Sequence, residues 1–199
     1  MLYYKERQEV IEAGQKMLSS SLTVGTWGNI SLRLSAGQMA ITPSGMNYDR
    51  LKHGDIVIMD LAGNVADSSR KPSTEHPLHR MIYSAREDIK AIVHTHSVYA
   101  TAMAVARIGI PGCVEDLVQI AGGDVRVADY ALHGTEELGQ NVIKAMEGRN
   151  CTLLANHGVV GAGRNLEEAL RVCQVVEKAA RIVVAAKSLG GVSSLSRKR

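Results

Sequence analysis

Two histidines spaced by one residue, His94 and His96, close the apolar and β-branched run that begins at Ile89. Side chains at i and i+2 of a strand share a face, so both imidazoles can reach one ion. Each ring also carries polar nitrogens that need partners, and an apolar strand end supplies none. Taken alone, the pair suits a hydrogen-bonded strand edge as well as a metal site. His157 adds weight to the metal, because it sits in the sharp turn Asn156-His157-Gly158 between two strand-like runs. Three histidines with a fourth position open are the donor set of a catalytic zinc site. Glu75, near the start of the helix that precedes the His94 strand, serves either as fourth ligand or as a base beside the metal. His79, one turn further along the same helix face, and His76 are rivals for the ion. His53 and His133 fall in loops with no pattern to recommend them.

Three polar, glycine-rich segments accompany the histidines: Gly25 to Asn29, Thr42 to Gly45, and Ser73-Thr74. Each offers hydroxyls and backbone N–H groups, the last at a helix N-terminus, where an anion is favoured. Together they predict a phosphate held with little help from Lys or Arg.

The elements that position these residues follow from periodicity. Val10, Ala13, Gly14, Met17 and Leu18 recur at helical spacing and predict a helix over 4–21. Strands are expected at Ile30–Leu34, Met39–Ile41 and Asp55–Asp60, the last entering the turn Ala62-Gly63-Asn64. Leu78, Met81, Ile82 and Ala85 line a second helix, with Ser73 as its expected cap. A buried strand follows at Ile89–His94, then helices over 97–107 and Thr135–Met146. Strands are expected at Cys151–Ala155 and Gly158–Gly161. Asn165-x-x-Glu168 reads as a capping box for a last helix that runs to about Leu189. Several strands are joined by short turns, so the expected fold is α/β with a mixed, mostly antiparallel sheet covered by helices, not a doubly wound parallel one.

Bulk composition narrows the function. The 199 residues suit one catalytic domain, expected over 1–192, with a basic tail at 193–199. The net charge of +3 is matched by Arg197, Lys198 and Arg199 alone, so the body of the chain is neutral. With no Phe and one Trp there is little to stack on bases, and no nucleic-acid partner is expected. Cys113, Cys151 and Cys173 are odd in number and far apart, which excludes a disulfide framework and a cysteine zinc site. Met1 to Glu9 is polar, with no signal-peptide core, and no apolar run reaches the ~18 residues of a membrane span. The chain reads as cytoplasmic.

In order, the chain carries G-T-x-G-N-I-S (25–31), I-T-P-S-G (41–45), K-P-S-T-E (71–75), V-H-T-H (93–96), A-G-G (121–123) and N-H-G (156–158). This ordered set resembles the class II aldolase/adducin-head family over about residues 5–190. The resemblance implies a three-layer αβα domain. It implies Zn2+, or another divalent ion such as Mn2+ or Co2+, on Glu75, His94, His96 and His157. Glu75 is also implied to leave the metal and act as acid/base. A phosphate site is implied at Thr26, Asn29, Ser44, Gly45, Ser73 and Thr74, and a homotetramer with active sites at subunit interfaces. The implied reaction cleaves a ketose 1-phosphate, of the L-fuculose or 5-deoxypentulose type, to dihydroxyacetone phosphate and a small aldehyde through a metal-stabilised enediolate.

Two departures bear on the substrate. Glu115 aligns with a tyrosine that protonates the aldehyde side in fuculose-type members; a carboxylate there resembles 5-deoxypentulose-phosphate aldolases and the methylthioribulose-1-phosphate dehydratase branch. Glu115 is thus a second candidate catalytic residue. The C-terminal extension of fuculose-type members reads as missing or replaced by Ser193–Arg199. A dehydratase, an epimerase and a sugar-acid phosphate decarboxylase are the alternatives on the same fold. A non-enzymatic adducin-like module predicts loss of the metal donors, and all four are present.

Overall fold

The computed structural model describes residues 1–195; the basic residues Arg197, Lys198 and Arg199 lie outside them. Eight strands form one sheet: β1 (Asn29–Arg33), β2 (Gln38–Ile41), β3 (Val57–Asp60), β4 (Val65–Asp67), β5 (Ala91–Thr95), β6 (Val127–Ala128), β7 (Cys151–Leu154) and β8 (Gly158–Gly163). Their order is β4-β3-β2-β1-β5-β8-β7-β6. Neighbours are antiparallel except β6 and β7, which run parallel. The mixed, mostly antiparallel sheet expected from the short turns is the one observed.

Six helices cover it: α1 (Tyr4–Ser19), α2 (His76–Ala85), α3 (Val98–Val105), α4 (Glu115–Ala121), α5 (Glu136–Ala145) and α6 (Leu166–Ser188). Strand alternation sorts the core into two halves. Val93 of β5 and Ile30 of β1 pack on one face with Met17 of α1, Met103 of α3, Leu117 of α4 and Val176 of α6. Ile92 of β5 and Val160 of β8 pack on the other with Leu78 and Ile82 of α2 and Leu138 and Val142 of α5. The result is three layers, helix, sheet and helix. Among the described residues, no helix is long and apolar enough to cross a membrane.

Local chemistry departs from expectation in three places. The N-cap of α2 is Glu75, not Ser73, and Ser73 Oγ, two residues earlier, instead accepts the Glu75 N–H at 3.3 Å. The capping box of α6 closes on one side only: Asn165 Oδ1 accepts from Glu168 N at 2.9 Å, while the Glu168 carboxylate turns to Arg164 N at 3.0 Å. Asp55 falls in a 3-10 turn (His53–Asp55), so β3 starts later than the apolar pattern suggests.

Register places the chemistry. Asn29 pairs with His94, Ser31 with Ile92, and His94 with Val160. Directly paired residues share a face, so Asn29, Ser31 and His94 lie on the α2 side of the sheet. α2 starts over that face and brings Glu75 and His79 down onto it.

Candidate metal centre

Each donor reaches the centre by a separate route. His94 sits in β5 and is fully buried. Its Nδ1 lies 2.8 Å from the Val159 carbonyl oxygen. A carbonyl only accepts, so Nδ1 carries the proton and Nε2 faces the centre with a lone pair. His96 follows just past the strand end, held by its backbone N–H to the Leu22 carbonyl at 3.1 Å. His157 is delivered by the turn between β7 and β8. Asn156, which precedes it, takes a left-handed φ of 57°, a conformation asparagine tolerates better than most side chains. Its Oδ1 accepts from Arg107 Nη2 at 2.5 Å. Glu75, at the cap of α2, completes the set.

The four donor groups converge, with all their nearest atoms within 4.8 Å of one another. His94 Nε2 stands 2.9 Å from His96 Nε2 and 3.3 Å from His157 Nε2. Glu75 Oε2 is 3.3 Å from His94 Nε2, and Oε1 is 3.4 Å from His157 Nε2. A tetrahedral ion with bonds of about 2.0–2.1 Å would hold its donors roughly 3.3 Å apart. Glu75 Oε1 is buried and has no hydrogen-bond partner among the described residues, an expensive state unless a cation or a substrate proton supplies one.

Electrostatics point the same way. Burial pushes the His96 and His157 imidazoles down to about 3 and about 4, with help from His94 and against the attraction of Glu75. Burial would raise the Glu75 carboxyl, but His94, His157 and the Asn29 amide outweigh it and hold the group well below the usual carboxylate range. Neutral imidazoles around one carboxylate suit a divalent cation, and these residues fit one.

The hydroxyl loops meet beside this cluster. Thr26, Trp27, Gly28, Asn29, Ser44, Gly45, Ser73, Thr74, Glu75, His133 and His157 line a cleft of about 230 Å³. Ser44 N donates to Lys71 O and Ser73 N to Thr42 O, both at 3.0 Å, so two of the loops are laced as a short ladder. Thr42 Oγ1 ties that ladder to β1 by accepting from Ile30 N at 3.1 Å. The buried Tyr48 hydroxyl pins the third loop by donating to Gly28 O at 2.7 Å. Among the described residues, no Lys or Arg lines the cleft.

All six residues expected to hold a phosphate thus share one cleft with Glu75 and His157. Asn29 is the most committed of them: its Nδ2 donates to Glu75 Oε2 at 2.8 Å and its Oδ1 faces His79 Nε2 at 2.5 Å. Neither rival histidine joins the donor cluster. His79 is fully buried with both ring nitrogens engaged elsewhere. Glu115 opens α4, is exposed, and is not part of this cleft's wall. His133 is the residue that sequence reasoning passed over; it comes from a loop without periodicity, belongs to none of the motifs, and lines the cleft.

Comparison with known proteins identifies the family. The family described as Class II Aldolase and Adducin N-terminal domain matches residues 8–184. The chain is 43% identical over 191 residues to a 5-deoxy-D-ribulose 1-phosphate aldolase of Bacillus thuringiensis serovar kurstaki, covering 96% of this chain and 89% of that protein. It is 38% identical over 174 residues to a 5-methylthioribulose-1-phosphate/5-deoxyribulose-1-phosphate aldolase of Rhodospirillum rubrum, covering 87% of this chain and 78% of that protein. A solved structure of an L-fuculose 1-phosphate aldolase superposes with a TM-score of 0.95 at 43% identity, covering 100% of this chain and 93% of that one. The chain belongs to the class II aldolase/adducin family and is a lyase of its aldolase kind.

Proposed function

We propose that this chain is a zinc-dependent aldolase that cleaves a ketose 1-phosphate, of the 5-deoxypentulose or L-fuculose type, to dihydroxyacetone phosphate and a small aldehyde. The observation that carries the reading is the convergence of Glu75, His94, His96 and His157 beside a cleft walled by hydroxyl and glycine loops together with Trp27 and His133. The names of the relatives support a ketose 1-phosphate, and three imidazoles with a carboxylate suit Zn2+, with Mn2+ or Co2+ as alternatives. The ion supplies Lewis-acid polarisation of substrate oxygens.

The chain's own residues do the rest. Thr26, Ser44, Gly45, Ser73 and Thr74, with Asn29 behind them, hold the phosphate through hydroxyls, backbone N–H groups and the N-terminus of α2. Glu75 keeps Oε2 anchored on Asn29, and its unpartnered Oε1 takes the C4-hydroxyl proton. The oxygen electrons released form the aldehyde carbonyl. The C3–C4 bonding pair stays with the three-carbon fragment, and Glu75 returns its proton to C3 to complete dihydroxyacetone phosphate. Glu115, outside the cleft of its own chain, acts in this reading from a neighbouring copy. Exposed Trp27, Tyr130 and Leu132 near the cleft support a homotetramer with sites at its interfaces. Three unpaired thiols support a cytoplasmic setting for a single catalytic domain.

The test is coupled detection of dihydroxyacetone phosphate released from fuculose, rhamnulose, 5-deoxyribulose and methylthioribulose 1-phosphates, with and without a chelator. Chelator-sensitive release is expected, with 5-deoxyribulose 1-phosphate among the best substrates. Metal-loaded protein that releases nothing from any of the four would sink the aldolase reading and turn attention to dehydration, epimerisation or decarboxylation.

A further inference from the structure

Behind the cleft lies a second set of buried polar groups that the proposed reaction does not use. His79 Nδ1 lies 2.6 Å from Ser31 Oγ, and Ser31 Oγ lies 2.8 Å from the Tyr83 hydroxyl. On the other side His79 Nε2 meets Asn29 Oδ1, and Asn29 Nδ2 meets Glu75 Oε2. Tyr83, Ser31 and His79 are fully buried, Asn29 and Glu75 nearly so.

Counting donors and acceptors leaves one arrangement of protons. The ionised Glu75 carboxylate only accepts, so Asn29 must present its N–H to it and turn Oδ1 toward His79. Oδ1 only accepts, so His79 carries its proton on Nε2. Burial, reinforced by His94, pushes the His79 imidazole down to about 3, so the ring is neutral and Nδ1 accepts. The Ser31 hydroxyl then donates to Nδ1 and receives from Tyr83, whose other neighbour, the Lys90 carbonyl, is further away at 3.4 Å. Every hydrogen bond in the row points the same way: Tyr83 to Ser31, Ser31 to His79, His79 to Asn29, Asn29 to Glu75.

We propose that His79, backed by Ser31 and Tyr83, is a positioning relay that locks the Asn29 amide with its N–H toward Glu75, anchoring Oε2 and leaving Oε1 free for proton transfer. The inference rests on Glu75 being the acid/base of the reaction above. In the opposite His79 tautomer, Nε2 accepts, the Asn29 amide turns over, and its oxygen is set against the carboxylate. Neither ring nitrogen of His79 reaches the candidate metal donors, so its influence passes through Asn29 alone.

The experiment compares His79→Gln, His79→Leu, Tyr83→Phe and Glu75→Gln as metal-loaded enzymes on the best substrate of the panel, with metal content and folding checked for each. His79→Leu is expected to lower kcat about 10–100-fold, the range for a partner one layer behind a site residue, with KM and metal content held. His79→Gln keeps an N–H close to Nε2 and recovers most of the loss. Tyr83→Phe removes one hydroxyl and lowers kcat severalfold without moving KM. Separately, 15N NMR of the metal-free protein is expected to show His79 as the Nε2–H tautomer. An Nδ1–H tautomer overturns the relay. So does unaltered kcat in Tyr83→Phe and in folded His79→Leu while Glu75→Gln is inactive. If His79→Leu fails to fold, Tyr83→Phe and the tautomer decide. A fully active Glu75→Gln removes the acid/base reading instead, and the NMR result still judges the hydrogen-bond row on its own.

Discussion

Three imidazoles crowded around a carboxylate give the metal-free protein a defined response to acid. His96 and His157 are neutral in the folded state down to about 3 and about 4, because burial disfavours their charged forms. In the unfolded chain they take up protons near the ordinary imidazole value of 6.5. Below that pH the unfolded state binds more protons than the folded one, so this stability is complete above pH 6.5 and is lost as pH falls toward the folded values. Glu75, depressed in the folded state, adds loss in the same direction once pH passes below its unfolded value of 4.5. The urea midpoint of chelated protein should therefore fall steadily from pH 7 to pH 4, and His157→Gln should flatten part of the slope. A midpoint that does not move would show the histidines to be solvated. The donors themselves were legible in sequence, since H-x-H on a strand end has a stated geometric consequence. The division of labour between Glu75 and His79 was not. Both lie on one helix face, and only the partners at each ring nitrogen show that His79 turns away from the donor cluster.

The strand that carries His94 is flanked by two glycines whose lack of a side chain sets the spacing. A Cβ on Gly158 would stand 2.3 Å from the Thr95 carbonyl oxygen, and one on Gly28, at φ 77°, would stand 2.6 Å from the His94 carbonyl oxygen. Both contacts are with backbone, which cannot swing aside. Gly158→Ala should therefore push β8 away from β5, costing about 1–3 kcal/mol of stability and loosening the Val159 contact that fixes the His94 tautomer. Chemical denaturation and metal content would check this together; an alanine variant with both unchanged would contradict it. Long amphipathic elements such as α1, α5 and α6 were readable because their apolar residues repeat over several turns. β4 and β6, of three and two residues, and the seven-residue α4 were not. At such lengths pairing with a neighbour decides the structure, and local pattern carries almost no signal. The same holds for the α2 cap, where Ser73 and Glu75 compete within one turn and tertiary contacts to Asn29 settle the outcome.

Across the whole molecule, the candidate donors come from the start of α2, the end of β5 and the β7–β8 turn, brought together only when the sheet has closed. The unfolded chain keeps the two neighbouring histidines but not the cluster. An ion bound there is therefore linked to the folding equilibrium: it binds the native state and has little to hold in the denatured one. At a hundredfold excess over Kd, such linkage is worth about 2.7 kcal/mol, or roughly 5–10 °C in Tm for a chain of this size. Differential scanning fluorimetry across metal concentrations should show that rise, and a chelator should reverse it; a Tm indifferent to both would mean that the cluster is not a metal site. On the proposed metal site, metal supply would act on abundance as well as on turnover. Without an ion there, the protein would spend a larger fraction of time unfolded and exposed to proteolysis, so that the amount of enzyme present would come to report metal supply.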